Sequence, residues 1–166
     1  MRYLQGEDRP SGEGHPDCPF CIEPSENHCC DIDNLIVRRC AHSFIMLNRY
    51  PYNNGHLMVV PNRHVASLAG CSPEELNEMM GLTRLAELAL TEAYHPQGLN
   101  VGINIGRSAG AGVVDHVHIH AVPRWTGDTN FISVIGEVRV LPEELEETAR
   151  RLRPIFERLA TEVPGS

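Results

Sequence analysis

An α+β fold, a mostly antiparallel sheet packed on helices, follows from three features of the 166-residue sequence. Short runs of β-branched and large apolar residues come in groups. One long, well-capped helical pattern is inserted among them. A second helical pattern closes the chain.

Taken in order, "MRYLQGEDRPSGEGHPD" (1–17) lacks an apolar run, so it is read as a flexible arm and not a secretory signal. A single domain is expected over 18–166. It opens on a turn-rich cysteine loop, about 18–30, "CPFCIEPSENHCC". "NLIVRRC" and "SFIMLNRYP" read as strands. Asn54-Gly55 signals a turn, and "HLMVVP" is the next strand, ended by Pro61. "CSPEELNEMMGLTRLAELALTEAYHP" is the long helix. Ser72 caps it, Pro73 occupies the first turn, and Glu75 completes a capping box with favourable charge. Leu76, Met79, Leu82, Ala86, Leu90 and Ala93 form its core stripe, and the pair Met79–Met80 reads as core filler. Pro96-Gln97-Gly98 stops the helix. "GLNVGINIG" is a strand, "RSAGAGVVD" a Gly/Ala loop, "HVHIHAVPRW" a strand, and "NFISVIGEVRVL" one or two more. The C-terminal helical segment, about 142–162, contains Pro154, which should kink or split it.

The formal net charge of -8, from 22 acidic and 14 basic residues, argues against a nucleic-acid surface. A small anion remains possible, because backbone amides bind phosphate locally. No run reaches the roughly 18 apolar residues of a membrane span, so a cytoplasmic protein is the default expectation. The six cysteines then call for something other than disulfides. In a reducing compartment Cys18-x-x-Cys21 means a metal site or a redox pair, and its turn-rich setting favours metal.

His116, His118 and His120 alternate along a strand, which puts them on one face, with Val117, Ile119 and Ala121 facing a core. A solvated face would carry mixed polar residues instead. The row could bind a metal as a unit, or one histidine could be a nucleophile that the others orient. Gly106, Gly110 and Gly112 lie just upstream, where small residues let backbone N–H groups approach an anion. That neighbour favours a phosphate over an isolated metal. It is not a Walker loop, for no Gly-Lys-Ser/Thr follows.

"HVHIHAV" fits the His-φ-His-φ-His-φ-φ signature, and the chain from about Cys18 to Phe131 resembles the histidine triad (HIT) superfamily of nucleotide hydrolases and nucleotidyl transferases. "HAVPRWTGDTNF" resembles the branch of diadenosine tetraphosphate phosphorylases and related dinucleoside polyphosphate enzymes. The resemblance implies that His118 attacks the α-phosphorus, giving a nucleotidyl-histidine that water or phosphate then cleaves. The other nitrogen of His118 would donate to the backbone carbonyl of His116, and His120 would stabilise charge on the phosphate. Asn48 matches the ribose-binding position. Asn104, Ser108 and the amides around Gly110, Ala111 and Gly112 match phosphate contacts. Phe44 and Met46 match a base pocket, with plain core as the equal alternative. Trp125 could serve the site, an interface or the core. Many relatives carry Ser or Gln near Gly112, so that side-chain contact would be lost here or taken over by a backbone amide or Ser108.

Some relatives hold a structural zinc, which carries over to Cys18, Cys21, His64 and His116. Two thiolates and two imidazoles suit tetrahedral zinc. The alternatives are a local knuckle using His28, Cys29 and Cys30, or no metal at all. Cys40 and Cys71 read as buried thiols, and His42, His56 and His95 as surface, cap or structural residues. No organic cofactor is implied. The expected partners are a nucleotide or dinucleoside polyphosphate substrate and a second copy in a homodimer, with no nucleic acid and no membrane. Two rival functions stand beside this enzyme: a non-catalytic nucleotide-binding scaffold, and a cupin-like oxygenase with redox metal on the histidine row.

Overall fold

The structure, a computed structural model, describes residues 17–21, 35–128 and 143–162. Five strands form one antiparallel sheet: β1 (Ile36–Arg39), β2 (Ser43–Leu47), β3 (Leu57–Pro61), β4 (Gly98–Ile103) and β5 (Ile119–Arg124), in spatial order β1-β2-β3-β5-β4. Two helices, α1 (Pro73–Tyr94) and α2 (Leu145–Glu162), complete the described fold. The α+β architecture expected from the sequence is therefore present. The segment 130–141, the arm before 17, and His28, Cys29 and Cys30 lie outside the described residues.

Register assigns the two faces. Met46 pairs with Met58 and Met58 with His120, while Leu47 pairs with Leu57 and Leu57 with Ala121. Paired residues project to one side and alternate ones to the other. Ile45, Leu47, Leu57, Val59, Ile119 and Ala121 thus share a main core with both helices. Phe44, Met46, Met58 and Val60 pack with Ile36 and Phe20 in a smaller apolar cluster on the opposite face, the face of His120.

α1 starts as its sequence dictates. Ser72 Oγ accepts the Glu75 amide at 3.2 Å, and Glu75 Oε2 accepts the Ser72 amide at 2.7 Å. Glu75 also takes both nitrogens offered by Arg63, at 3.0 and 2.7 Å, so the capping residue ties the helix to the segment after β3. Its buried face is Met79, Leu82, Leu85, Ala86, Ala89 and Leu90. Two expectations are corrected. Met80 is 62% exposed while Met79 is buried, because neighbours on an α-helix stand about 100° apart and cannot both face one sheet. Leu76, in the first turn, is exposed as well. His95, in the left-handed region at φ 45°, ends the helix, its N–H donating to the Thr91 carbonyl.

α2 buries Thr148, Ala149, Leu152, Phe156 and Leu159. Of the kink or split expected at Pro154, the split does not occur: the helix runs on through it. Pro154 sits on the exposed side, where water can serve the Arg150 carbonyl that its missing N–H leaves unbonded, and the apolar stripe continues past it. Glu143 fastens the start of this segment: it accepts the Tyr94 hydroxyl at 2.7 Å and its amide donates to Asn54 Oδ1 at 2.8 Å.

Candidate functional site

β5 begins at Ile119, so only His120 of the histidine row lies in the strand. His116 and His118 sit in the segment leading into it, a correction to the single strand expected from alternation. The alternation itself persists: Val117, Ile119 and Ala121 are buried, and Ile119 and Ala121 belong to the main core. What replaces a sheet partner for this segment is one bond, Val117 N–H to the Val65 carbonyl at 2.7 Å. That bond aligns the residues just before each valine, and brings the His64 and His116 rings to 5.0 Å, edge to face.

Cys18 and Cys21 close around those rings. Cys18 Sγ lies 3.4 Å from His116 Nδ1, and Cys21 Sγ lies 3.2 Å from His64 Nδ1 and 3.8 Å from His116 Nδ1. The four ligand atoms fall within 4.8 Å of one another. Tetrahedral zinc with S at about 2.3 Å and N at about 2.0 Å requires S–N edges of roughly 3.5 Å, so the donor set fits a metal. His116 Nε2 donates to the Pro61 carbonyl at 2.9 Å, which leaves Nδ1 with the lone pair a metal needs. Burial lowers the His116 imidazole to about 4, keeping it neutral, while burial pushes the Cys18 thiol up to about 11. Two thiolates at this depth need a cation to hold their charge. Thus Cys18, Cys21, His64 and His116, which the resemblance grouped, are together in space and can hold a metal.

The remaining histidines form a second cluster. His118 Nδ1 lies 2.9 Å from the His116 carbonyl oxygen; only a protonated Nδ1 can make that bond, so Nε2 carries the lone pair. Phe20, between the two cysteines, meets the His118 ring at 4.9 Å and the His116 ring at 5.6 Å. Burial lowers the His118 pKa, holding it neutral. His118 and His120 rings stand 4.7 Å apart, near perpendicular.

His56 was read from the sequence as structural, and the geometry gives it more to do. It is 1% exposed, its Nδ1 accepts the Tyr52 amide at 3.1 Å, and its Nε2 lies 3.0 Å from His120 Nδ1. Since Nδ1 accepts, Nε2 bears the proton of the neutral ring and donates it to His120. His120 Nδ1 is then the acceptor and its Nε2–H a donor. Burial, followed by the neighbouring His120 and His118, lowers His56 to about 3; burial and then His118 lower His120 to about 4. The sequence signal was the Asn-Gly turn just before His56, which makes it the first inward residue on re-entry to the sheet.

The other expected residues divide. Asn48, 7% exposed, stands beside His56 and accepts the Tyr50 amide at 2.9 Å. Phe44 and Met46 lie in the apolar cluster with Phe20, on the histidine face. Asn104 and His120 both line a cavity of about 310 Å³. Ser108, Gly110, Ala111, Gly112 and Trp125 are not among the residues lining it. In the Gly/Ala loop, Gly106 and Gly110 take φ of 81° and 85°, a region that favours glycine. The Gly110 amide donates to Arg107 O at 2.9 Å and the Ala111 amide to Gly106 O at 3.4 Å. Both are turned into the loop, so a phosphate arriving here would meet the Gly112 amide first or displace those bonds. The Trp125 amide donates to Asp128 Oδ2 at 3.1 Å.

The profile of the HIT domain matches residues 30–127. An AP-4-A phosphorylase of Mycobacterium tuberculosis is 42% identical over 143 residues, covering 86% of this chain and 72% of that protein. A bis(5'-adenosyl)-triphosphatase of Dictyostelium discoideum is 31% identical over 121 residues, covering 69% of this chain and 80% of that protein. The crystal structure of a zinc-bound histidine triad family protein from Mycobacterium smegmatis superposes with a TM-score of 0.64 at 29% identity, covering 78% of this chain and 88% of the other. The tautomers of the histidine row, the cysteine–histidine cluster and these likenesses agree: the chain belongs to the HIT domain family, among its enzymes of nucleotide hydrolysis and transfer.

Proposed function

We propose that this enzyme cleaves dinucleoside polyphosphates, such as diadenosine tetraphosphate, at the α-phosphorus through a nucleotidyl-His118 adduct. The observation that carries the reading is the 2.9 Å bond from His118 Nδ1–H to the His116 carbonyl, which leaves Nε2 as a neutral, oriented nucleophile. Nε2 forms the N–P bond as the P–O bond to the remaining polyphosphate breaks, and that electron pair leaves with the polyphosphate. Nδ1 keeps its proton throughout, shared with the carbonyl. The Nε2–H of His120, fixed by His56, donates to the phosphate as its charge grows. Water or inorganic phosphate then attacks phosphorus and restores Nε2. The 42% identity to a phosphorylase supports phosphate as the acceptor.

Cys18, Cys21, His64 and His116 would hold zinc, whose contribution is structural: it fixes His116, whose carbonyl orients the nucleophile. Asn48 is assigned to the ribose, Phe44 and Met46 to the base side, and Asn104 with the Gly112 amide to the phosphates. A homodimer through β4 is supported by that strand's exposed edge and by Val101 and Ile105, 51% and 47% exposed.

The test is incubation of pure protein with diadenosine tetraphosphate, with and without phosphate. ADP plus ATP marks phosphorolysis and AMP plus ATP marks hydrolysis. Intact-protein mass spectrometry should catch an added nucleotidyl mass that disappears in His118→Asn. Absence of turnover under both conditions overturns the reading.

A further inference from the structure

The cavity of about 310 Å³ beside His120 extends along β4 and β5, away from the cysteine–histidine cluster. Its floor follows from register: Gly102 pairs with His120, Asn100 with Val122 and Gly98 with Arg124, so these residues share one face. Gly102 keeps the floor open, since a Cβ there would meet nothing within 4 Å.

The charge of the lining decides what kind of ligand fits. Arg124 donates from Nε and Nη2 to the two oxygens of Asp128, at 2.6 and 2.7 Å, and from Nη1 to Asn100 Oδ1 at 2.8 Å. Its guanidinium holds the Asp128 carboxyl well below the usual carboxylate range, so the pair stays ionised and sums to zero. A phosphate dianion placed here would face the carboxylate as well as the cation. A neutral polar ligand meets a better surface. Asn53 has its Nδ2 held by Asp128 at 2.8 Å and by the Pro123 carbonyl at 3.0 Å, and it lines the cavity with Asn100 and Asn104. Amides both donate and accept, as ribose hydroxyls and heterocycle edges require. Tyr52, 52% exposed, adds an aromatic wall 5.9 Å from the His120 ring, on which a planar base can stack.

From this arrangement we propose that the cavity is the subsite for the leaving nucleoside of the dinucleoside polyphosphate, its base against Tyr52 and its polar groups on Asn100 and Asn53. The assignment rests on the His118 reading above and extends it from the reacting phosphorus to the far end of the substrate. The volume is near the lower bound of about 300 Å³ for small-molecule sites, enough for one nucleoside and not two.

The experiment compares diadenosine tetraphosphate with adenosine 5'-tetraphosphate, which presents the same α-phosphate but no second nucleoside. The readout is the ratio of the two kcat/KM values in the wild type, in Asn100→Ala and in Tyr52→Leu. Asn100 is exposed on the edge strand, and the Tyr52 bond to His56 uses its backbone; the Tyr52 ring also stands 4.5 Å from the His56 ring, so a loss of rate shared by both substrates is set aside and only their ratio is read. The wild type should prefer the dinucleotide, and each variant should lower the ratio about tenfold, with the change mainly in KM. An unchanged ratio overturns the subsite and leaves the His118 reading standing. A raised KM for inorganic phosphate with an unchanged ratio also overturns it, assigning the cavity to the acceptor. No turnover of either substrate by the wild type overturns both.

Discussion

The carbonyl of His116 accepts the Nδ1 proton of His118 at 2.9 Å, while the ring of His116 lies among Cys18, Cys21 and His64. One residue thus serves two clusters, its side chain toward Cys18, Cys21 and His64 and its backbone toward the His118 ring. With zinc held there as proposed, removing it, or substituting Cys21→Ser, should lower kcat as well as the melting temperature. Both are measured on protein treated with chelator and then reloaded with zinc. A fall in stability with undiminished kcat would show that the two clusters are independent.

If His118 is the nucleophile as proposed, His118→Asn should reduce turnover by at least about a thousandfold, since it removes the one ring nitrogen that the 2.9 Å bond to the His116 carbonyl orients. Single-turnover assay with excess enzyme checks this, and the variant should still bind nucleotide because the lining of the cavity is untouched.

His56→Phe keeps the buried volume but strips the donor from His120 Nδ1 and the acceptor from the Tyr52 amide. The His120 ring is then free to choose its tautomer. A loss of about ten- to a hundredfold in kcat is expected, with KM for the nucleotide much less affected. His56→Gln, which retains a donor, should recover part of the rate.

Acid should destabilise the fold through the same histidines. His56 and His120 have folded pKa values lowered to about 3 and about 4, against roughly 6.5 for an unfolded histidine. Depressed folded values mean that the unfolded chain binds more protons between these limits. Stability is then complete above about pH 6.5 and is lost progressively as pH falls toward 4. For His56 alone the loss by pH 5 is about 2 kcal/mol. Thermal melts from pH 7 to pH 5 should fall by several degrees, and less so in His56→Phe relative to its own value at pH 7.

Pro154→Ala should raise the melting temperature. The proline occupies an exposed interior position of α2, where alanine is favoured by up to about 3 kcal/mol, offset in part by the stiffer unfolded chain of the wild type. Phe156→Ala, two residues on and fully buried, should cost about 3–5 kcal/mol, marking α2 as part of the core.

Local pattern carried much of this protein. Alternating apolar runs marked the strands, the Ser72–Glu75 box marked the start of α1, and the spacing of three histidines and two cysteines marked the chemistry, because each depends on neighbours a few residues away. The resemblance to histidine triad proteins supplied the grouping of Cys18 and Cys21 with His64 and His116, which spacing alone left open. What spacing could not decide was direction. Met80 turned outward beside a buried Met79, and Pro154 fell on the solvent side of a helix, since which arc of a helix is covered depends on the sheet it meets. The Asn-Gly turn marked where His56 re-enters the sheet but not which residue it would meet. His56 became the partner of His120 only when the pairing of Met58 with His120 laid β3 against β5, across 64 residues of chain. Likewise Asn53, Asn100, Arg124 and Asp128 are ordinary polar residues in sequence, and only the antiparallel register of β4 and β5, together with the turn before β3, gathers them into one neutral, amide-lined cavity. Ionisation and tautomer follow burial and hydrogen-bond partners, and those are properties of the folded chain.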